Sequence, residues 1–171
     1  MGLATLQELV NRYYQSGARD LHGLDLHGVN LAEAHLANTD LRRTNLTRAN
    51  LHQADLNHID GYQVNLSQAD LRHASLADAT LREADLHRAQ CHRATLVNAD
   101  LRNSRLDYAD LSHANLEGAN LTQADLAHAN LYWANLRHAN LTGAQIQGAN
   151  LTGAKFCQTI MPDGSRRDSD C

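Results

Sequence analysis

Residues 69–88 read ADLRHASLADATLREADLHR, and a leucine stands at every fifth position of this stretch. The same spacing runs from Leu21 to Phe156 without a change of phase, and 24 of these 28 positions are leucine. The four exceptions are Gly61, Cys91, Ile146 and Phe156. An internal repeat of this regularity decides the architecture of a chain before any other feature is weighed.

The other four positions of each five-residue repeat are almost as regular. We call the leucine the core position; the small position lies two residues before it, and the polar position lies one residue before it. The small position is mostly alanine, and the polar position is aspartate or asparagine in 20 of the 28 repeats. The first and second outer positions, one and two residues after the core position, are mostly polar or charged. Apolar and polar residues are therefore separated within each repeat.

A spacing of five residues fits neither a helix nor a flat strand. On an α-helix it turns the chain by about 500°, so successive leucines lie about 140° apart and cover every face. On a flat strand the side chains alternate with a period of two, so an odd spacing sends successive leucines to opposite sides. The leucines share one interior only if the backbone turns a corner in each repeat. The spacing therefore predicts an all-β solenoid with the leucines inside.

The core and the corners of this solenoid can be assigned to residue types. Gly61 lacks a core side chain, but Ile59 in the same repeat is bulky at a small position, and Cys91 should be a small buried hydrophobic residue. Asp and Asn at the polar position suit turns, because their short side chains bond nearby backbone N–H groups. Representative core residues are expected to be Leu71, Leu81, Leu86, Leu101 and Leu121.

The repeat resembles the signature of the pentapeptide-repeat family, alanine, aspartate or asparagine, leucine and two variable residues. Direct matches begin at Ala84, Ala99 and Ala119, and the resemblance covers residues 19–158. It implies a right-handed quadrilateral β-helix with four repeats in each coil. The 28 repeats would then form about seven coils, and a spacing of about 4.8 Å between paired strands gives a rod roughly 34 Å long.

Both ends of the chain resemble those of cyanobacterial members of this family. The segments that carry the likeness are YQSGAR at residues 14–19 and IMPDGS at residues 160–165. We divide the chain into an N-terminal helical cap (1–18), the β-helix (19–158) and a C-terminal cap with a polar tail (159–171).

The two caps are expected to close the open ends of the solenoid, which would otherwise expose core residues and unpaired backbone. Residues 5–16 are predicted to form an amphipathic helix with Thr5 and Glu8 as a capping box and Gly17 as its end. At the other end Phe156, Ile160 and Met161 are expected to cover the last coil. The polar residues beyond Gly164 are expected to be disordered.

Composition points to a cytoplasmic, single-domain protein. The formal net charge is −4, with 11 histidines that would add positive charge below a pH of about 6.5. This balance does not favour nucleic-acid binding. No transmembrane run or signal-peptide region is recognised, and three cysteines are not expected to form a disulfide framework. The family resemblance leaves a monomer and a homodimer open.

No catalytic residue, metal site or cofactor is predicted. Candidate Ser, His and Asp side chains lie at repeating outer positions of a convex rod, where no concave pocket is expected. The chain contains no phosphate-binding loop, no His-Glu-x-x-His motif and no Cys-x-x-Cys motif. We therefore expect a protein without enzymatic activity.

Residues 20 apart should stack in columns if each coil has 20 residues, and two such columns contain several histidines. Paired imidazoles could bind zinc, copper or nickel, but arginine alternates with histidine and would repel a cation. The same face could instead bind an acidic partner. The two columns are His52-Arg72-His92 and His73-Arg93-His113-Trp133. In this register His52 lies diagonal to His73, and His92 lies diagonal to His113.

The last two coils predict a contact surface. Acidic residues stop at Asp125 and return only at Asp163, and the chain's single tryptophan, Trp133, follows Tyr132 in this neutral region. Aromatic residues dominate the energetics of interfaces. Two interpretations are open: the aromatic pair contacts a partner, or Trp133 only covers the space left by Gly153.

The function predicted first is a protein–protein interaction or regulatory scaffold, with Tyr132, Trp133, Arg93 and His113 as contact residues. Its partner would be another protein, with no nucleic acid and no membrane. A second hypothesis comes from another branch of the family, in which a rod imitates DNA and inhibits or protects gyrase. A third is a structural or histidine-based metal-binding protein.

Overall fold

The computed structural model describes residue 17 and residues 19–171, and most of this range winds into a four-sided solenoid. Parallel bridges join polar positions 20 residues apart, from Asp20–Asp40 to Asn140–Ile160. Four repeats of five residues therefore complete one coil, which confirms the predicted β-solenoid. The predicted helix over residues 5–16 lies outside the described residues, and of the N-terminal cap only Gly17 is described.

Successive coils are joined by backbone hydrogen bonds that repeat along the rod. The N–H of Leu101 donates to the carbonyl of Asn120 at 2.8 Å, and the N–H of Asn103 donates to Thr122 at 3.1 Å. In the opposite direction the N–H of Asn120 donates to Ala99 at 2.9 Å. Each repeat therefore presents two N–H donors and one carbonyl acceptor to the coil that follows it.

The corners are tight turns with a left-handed residue at the second outer position. The N–H of Ser104 donates back to the carbonyl of Leu101 at 3.2 Å, and Asn103 between them has a φ of 57°. This is the pattern of a type II turn. All 28 repeats of the described solenoid have a positive φ at this position, and in 22 of them the residue is not glycine. This conformation was not predicted from the sequence.

Asp and Asn side chains at the polar position accept a backbone N–H hydrogen bond within the corner, as predicted. Oδ1 of Asp70 accepts the N–H of Arg72 at 3.1 Å, and Oδ1 of Asn120 accepts the N–H of Thr122 at the same distance. The corresponding bond is present in each of the 20 repeats that carry Asp or Asn there.

The interior is a continuous column of leucine and alanine. Cys91 is buried among them, as predicted. A Cβ added at Gly61 would lie 3.0 Å from Cδ2 of Leu81 and 3.1 Å from Cγ1 of Val64. The side chains of Leu81 and Val64 therefore occupy the space that a leucine at position 61 would fill. The representative core residues are fully buried, namely Leu71, Leu81, Leu86, Leu101 and Leu121.

The C-terminal tail is ordered, although it was predicted to be disordered. Strand β1 (Thr159–Ile160) pairs antiparallel with strand β2 (Arg166–Arg167), and a disulfide joins Cys157 to Cys171. The expectation that the cysteines form no disulfide is therefore wrong for this pair. The cytoplasmic location inferred partly from the cysteines stays a prediction.

The tail is ordered because its polar groups accept hydrogen bonds from backbone N–H groups of the last coil. Carboxylates of Asp170 and Asp168 accept the N–H groups of Phe156 and Gln158, at 3.0 and 2.6 Å. The guanidinium of Arg167 lies 3.8 Å from the centre of the Phe156 ring. Phe156 is buried and Met161 partly buried, as expected of a cap, whereas Ile160 is exposed. The tail, whose composition is typical of disorder, thus forms specific contacts.

Candidate functional site

Six rings follow one another along one face of the rod, and we call them the ring row. Neighbouring ring centres lie between 5.5 and 6.3 Å apart. The planes of each pair are close to perpendicular, which is a favoured arrangement of aromatic groups. The members in order are His52, His73, His92, His113, Tyr132 and Trp133.

The coil period explains why these rings meet. His52, His92 and Tyr132 occupy first outer positions of one side, and His73, His113 and Trp133 occupy the second outer positions next to them. The predicted diagonal pairs, His52 with His73 and His92 with His113, are confirmed at 5.6 and 5.5 Å. The contacts that join these pairs into one row were missed, although the alternation of rings between two columns was readable.

The aromatic end of the row faces solvent. Tyr132 is 40 % exposed and Trp133 is 50 % exposed. The indole of Trp133 also lies directly on Gly153, because a Cβ added to that glycine would be 2.8 Å from the ring. The two interpretations of Trp133 are therefore compatible, since the indole covers Gly153 with part of its surface and presents the rest outward.

Two arginines, Arg72 and Arg93, stand in the two columns that contain the ring row. Nη2 of Arg72 lies 2.6 Å from a carboxylate oxygen of Asp70, and this hydrogen bond lowers the pKa of Asp70 and raises the pKa of Arg72. Arg93 is exposed and has no carboxylate within 4 Å among the residues that the structure describes. Arg93 is therefore a positive charge available to an acidic group beside His73 and His113.

The histidines of the row have different surroundings. Nδ1 of His92 is 2.8 Å from the hydroxyl of Ser112, the next residue in its column. Nδ1 of His52 is buried and has no hydrogen-bond partner in the described part of the chain. The next residue in the column of His52 is Arg72, whose guanidinium is held by Asp70.

Metal and thiol chemistry find little support at these residues. No group of three or more His, Cys, Asp or Glu side chains within residues 17 and 19–171 is placed to hold a metal ion. Burial raises the pKa of the Cys91 thiol to about 12, so that this cysteine stays protonated. A helix able to span a membrane is also absent from the described part of the chain.

The opposite side of the rod carries arginine–aspartate pairs. Nε of Arg42 donates to Asp40 at 2.9 Å, and Nε of Arg102 donates to Asp100 at 2.7 Å, each with a second bond from Nη2. These bonds lower the pKa of both carboxyls. A surface groove of about 330 Å³ on this side is lined by Arg42, Asp60, Tyr62, Thr80 and Arg82.

A family model for pentapeptide repeats matches the chain in eight copies, over residues 25–60, 65–103, 84–123, 104–143 and 124–161. Among curated proteins no sequence matches this chain. Solved structures of several repeat proteins do match it.

HetL from the cyanobacterium Nostoc sp. strain PCC 7120, a pentapeptide repeat protein involved in heterocyst differentiation regulation, is 31% identical over 92% of this chain and 98% of its own, with a TM-score of 0.37. Rfr23 from the cyanobacterium Cyanothece 51142 is 29% identical over 90% of this chain and 99% of its own, with a TM-score of 0.37.

A trypsin-treated variant of QnrB1, a plasmid-mediated fluoroquinolone resistance protein, is 20% identical over 81% of this chain and 82% of its own. Its TM-score is 0.61. This likeness concerns the fold alone.

Proposed function

The chain belongs to the pentapeptide-repeat family, and from that premise we propose that it is a non-enzymatic interaction scaffold that binds another protein through its ring row. Tyr132 and Trp133 are the main contacts in this proposal, with His113 and Arg93 beside them. The observation that carries it is the continuous row of rings on one face, which ends in two exposed aromatic side chains.

The scaffold is suited to binding because the contact residues are held in advance. The backbone under Tyr132 and Trp133 is bonded to the coils on both sides, for example by the 2.9 Å bond from the Trp133 N–H to Thr152. A rigid surface loses little conformational entropy when it binds. Large, rigid aromatic side chains are also the residues that most often dominate the binding energy of an interface.

A role without catalysis is supported by the use of the polar side chains. Aspartates that could act as acids or bases are engaged in turns, and Asp40, Asp70 and Asp100 are also paired with arginine. Groups held in this way serve the structure of the corners. A protein partner and a cytoplasmic location remain part of the proposal.

The test is the replacement of Trp133 by alanine in the full chain. Captured proteins from a cyanobacterial lysate would be identified by mass spectrometry, and we expect the partner captured by the wild type to be lost with Trp133→Ala. Tyr108→Ala is the matched control, because Tyr108 is 52 % exposed but lies outside the ring row. Equal capture by the wild type and Trp133→Ala would remove the ring row as the binding face.

Gyrase inhibition is the competing proposal, and the fold shared with QnrB1 is what favours it. A DNA mimic needs dense negative charge, whereas the net charge here is −4 and arginine neutralises Asp40 and Asp100. A supercoiling assay with purified gyrase separates the two proposals, since inhibition at micromolar protein would favour the mimic.

Histidine-based metal binding is the third proposal, and the imidazole pair His92–His113 at 5.5 Å is its support. Titration calorimetry with zinc tests it, with His113→Ala as the variant. Heat of binding that disappears in this variant would favour a metal site in the ring row.

A further inference from the structure

The last coil of the solenoid has no complete coil after it. In the interior, N–H groups of the core and second outer positions donate to the next coil, as Leu131 and Trp133 donate to Asn150 and Thr152 at 2.8 and 2.9 Å. The last coil must find other acceptors on each of its four sides, because an unpaired backbone edge is a template for another chain.

Two of the four sides are covered by the chain itself. On one side Leu141 and Gly143 donate to the carbonyls of Ile160 and Pro162, both at 2.8 Å. On another side Phe156 and Gln158 donate to the carboxylates of the tail described above. The segment Asp168-Ser169-Asp170 thus replaces the missing coil with two carboxylates that are two residues apart.

The other two sides remain open, and we call them the open edge. The N–H groups of Ile146, Gly148, Leu151 and Gly153 have no acceptor among the residues that the structure describes. Ile146 and Leu151 are only partly buried, in contrast to the core residues of the preceding coils. The open edge therefore combines these four backbone donors with partly exposed apolar surface.

The electrostatics of the open edge favour an acidic ligand. No acidic residue occurs between Asp125 and Asp163 in the sequence, and Lys155 lies next to the edge. Each side presents two N–H donors but a single carbonyl of a small position, so donors outnumber acceptors. Oriented backbone N–H groups form sites for anions.

We propose that the open edge binds an extended segment of a partner protein that carries two carboxylates two residues apart. The tail provides the precedent, because the donor pairs 151/153 and 146/148 repeat the pair 156/158 one and two sides earlier. The second outer residues of the three pairs share a positive φ, 53° at Gln158 and 71° at Gly148 and Gly153. An acidic segment complements this surplus of donors better than the identical edge of a second copy does.

The proposal goes beyond the ring row, since it concerns backbone N–H groups at the end of the rod, where the indole of Trp133 borders the edge only at Gly153. Its test uses the full chain and a capped peptide with the sequence of residues 165–170, SRRDSD, as the probe. Amide signals of the ¹⁵N-labelled protein would be followed by NMR up to millimolar peptide.

We expect the amide signals of Ile146, Gly148, Leu151 and Gly153 to move downfield and their hydrogen exchange to slow. A peptide with both aspartates replaced by asparagine should bind about tenfold more weakly, because charge-assisted hydrogen bonds are roughly twice as strong as neutral ones. No change at the four amides, or equal binding of the two peptides, would overturn the proposal.

Two threonines at first outer positions of the last coil, the exposed Thr152 and the partly buried Thr142, offer a pair of protein variants. Thr152→Glu adds a negative charge beside the open edge, and we expect it to weaken peptide binding about threefold or more by repulsion. Thr142→Glu places the same charge at the equivalent position of the covered side and should have a smaller effect. If the four amides are already protected in the free protein, in step with dimer formation, a second copy occupies the edge and the proposal is wrong.

Discussion

At the scale of single residues, the second outer position is the most constrained site of the repeat. A left-handed conformation costs a residue other than glycine roughly 1–2 kcal/mol, yet 22 such residues adopt it in the described solenoid. The fold holds them there, because 21 of their N–H groups donate to the next coil, as that of Gln53 does to Arg72 at 3.0 Å, and that of Gln158 donates to Asp168. None of these residues is Val, Ile or Thr, which tolerate a positive φ least.

The first prediction concerns this position. Gln53→Val should lower the free energy of unfolding by about 1–2 kcal/mol, since a β-branched side chain is strained at a φ of 56°. Urea denaturation followed by circular dichroism measures the change. The control is Ala32→Val at an exposed first outer position without a positive φ, which should stay within about 0.5 kcal/mol of the wild type. Equal effects of both substitutions would contradict the role of the left-handed corner.

At the scale of elements, the C-terminal tail acts as a partial coil. It is tied to the last coil by the Cys157–Cys171 disulfide, by the carboxylates of Asp168 and Asp170, and by a 2.9 Å bond from Arg137 to the carbonyl of Asp170. This tail covers one side and leaves the open edge free. The cap is therefore incomplete, because two sides of the last coil are covered and the two sides of the open edge are not.

The second prediction concerns the pH dependence of this cap. Hydrogen bonds from the Phe156 and Gln158 N–H groups lower the pKa of Asp170 and Asp168 below the usual value for aspartate. The carboxylates therefore stabilise the cap fully above a pH of about 4, and this stabilisation is lost as the pH falls toward their lowered values.

Hydrogen exchange of the Phe156 and Gln158 amides, measured between pH 7 and pH 3 and corrected for intrinsic rates, tests this. Protection should fall at these two amides while that of Leu101 is kept. The double variant Asp168→Asn, Asp170→Asn should lose the pH dependence. Unchanged protection at pH 3 in the wild type would show that the disulfide alone holds the tail.

At the scale of the whole molecule, stability is built from contacts between neighbouring coils. Long-range order follows from the same 20-residue register repeated from Asp20 to Ile160. In such a solenoid each coil depends mainly on the coils before and after it. A defect in the middle therefore affects two coil interfaces, whereas a defect in the last coil affects one.

The third prediction compares two leucines on this basis. Leu101→Ala should lower the free energy of unfolding by about 2–5 kcal/mol, because Leu101 is fully buried and a cavity would remain. Leu151→Ala removes the same atoms at the open edge, where Leu151 is only partly buried, and should cost clearly less. Thermal denaturation of both variants measures the difference, and equal losses would argue against a stability set by neighbouring coils.

The sequence by itself determined the parts of this protein that repeat. The leucine core, the buried Cys91 and the turn bonds of Asp and Asn were all predictable, because each depends on residues within one repeat and on burial that follows from a constant spacing. Even the diagonal imidazole pairs could be located once residues 20 apart were known to stack.

Only the tertiary structure decided the features that depend on groups brought together from different coils. Left-handed corners at residues other than glycine are held by bonds to the next coil or, at Gln158, to the tail, and the continuous ring row follows from side-chain directions at those corners. The ordered tail and the open edge arise because the last coil has N–H groups without a following coil. Some of these groups are satisfied by the carbonyls of Ile160 and Pro162 and by the carboxylates of Asp168 and Asp170. Local composition does not encode which donors a chain end must satisfy, so the tail was wrongly expected to be disordered.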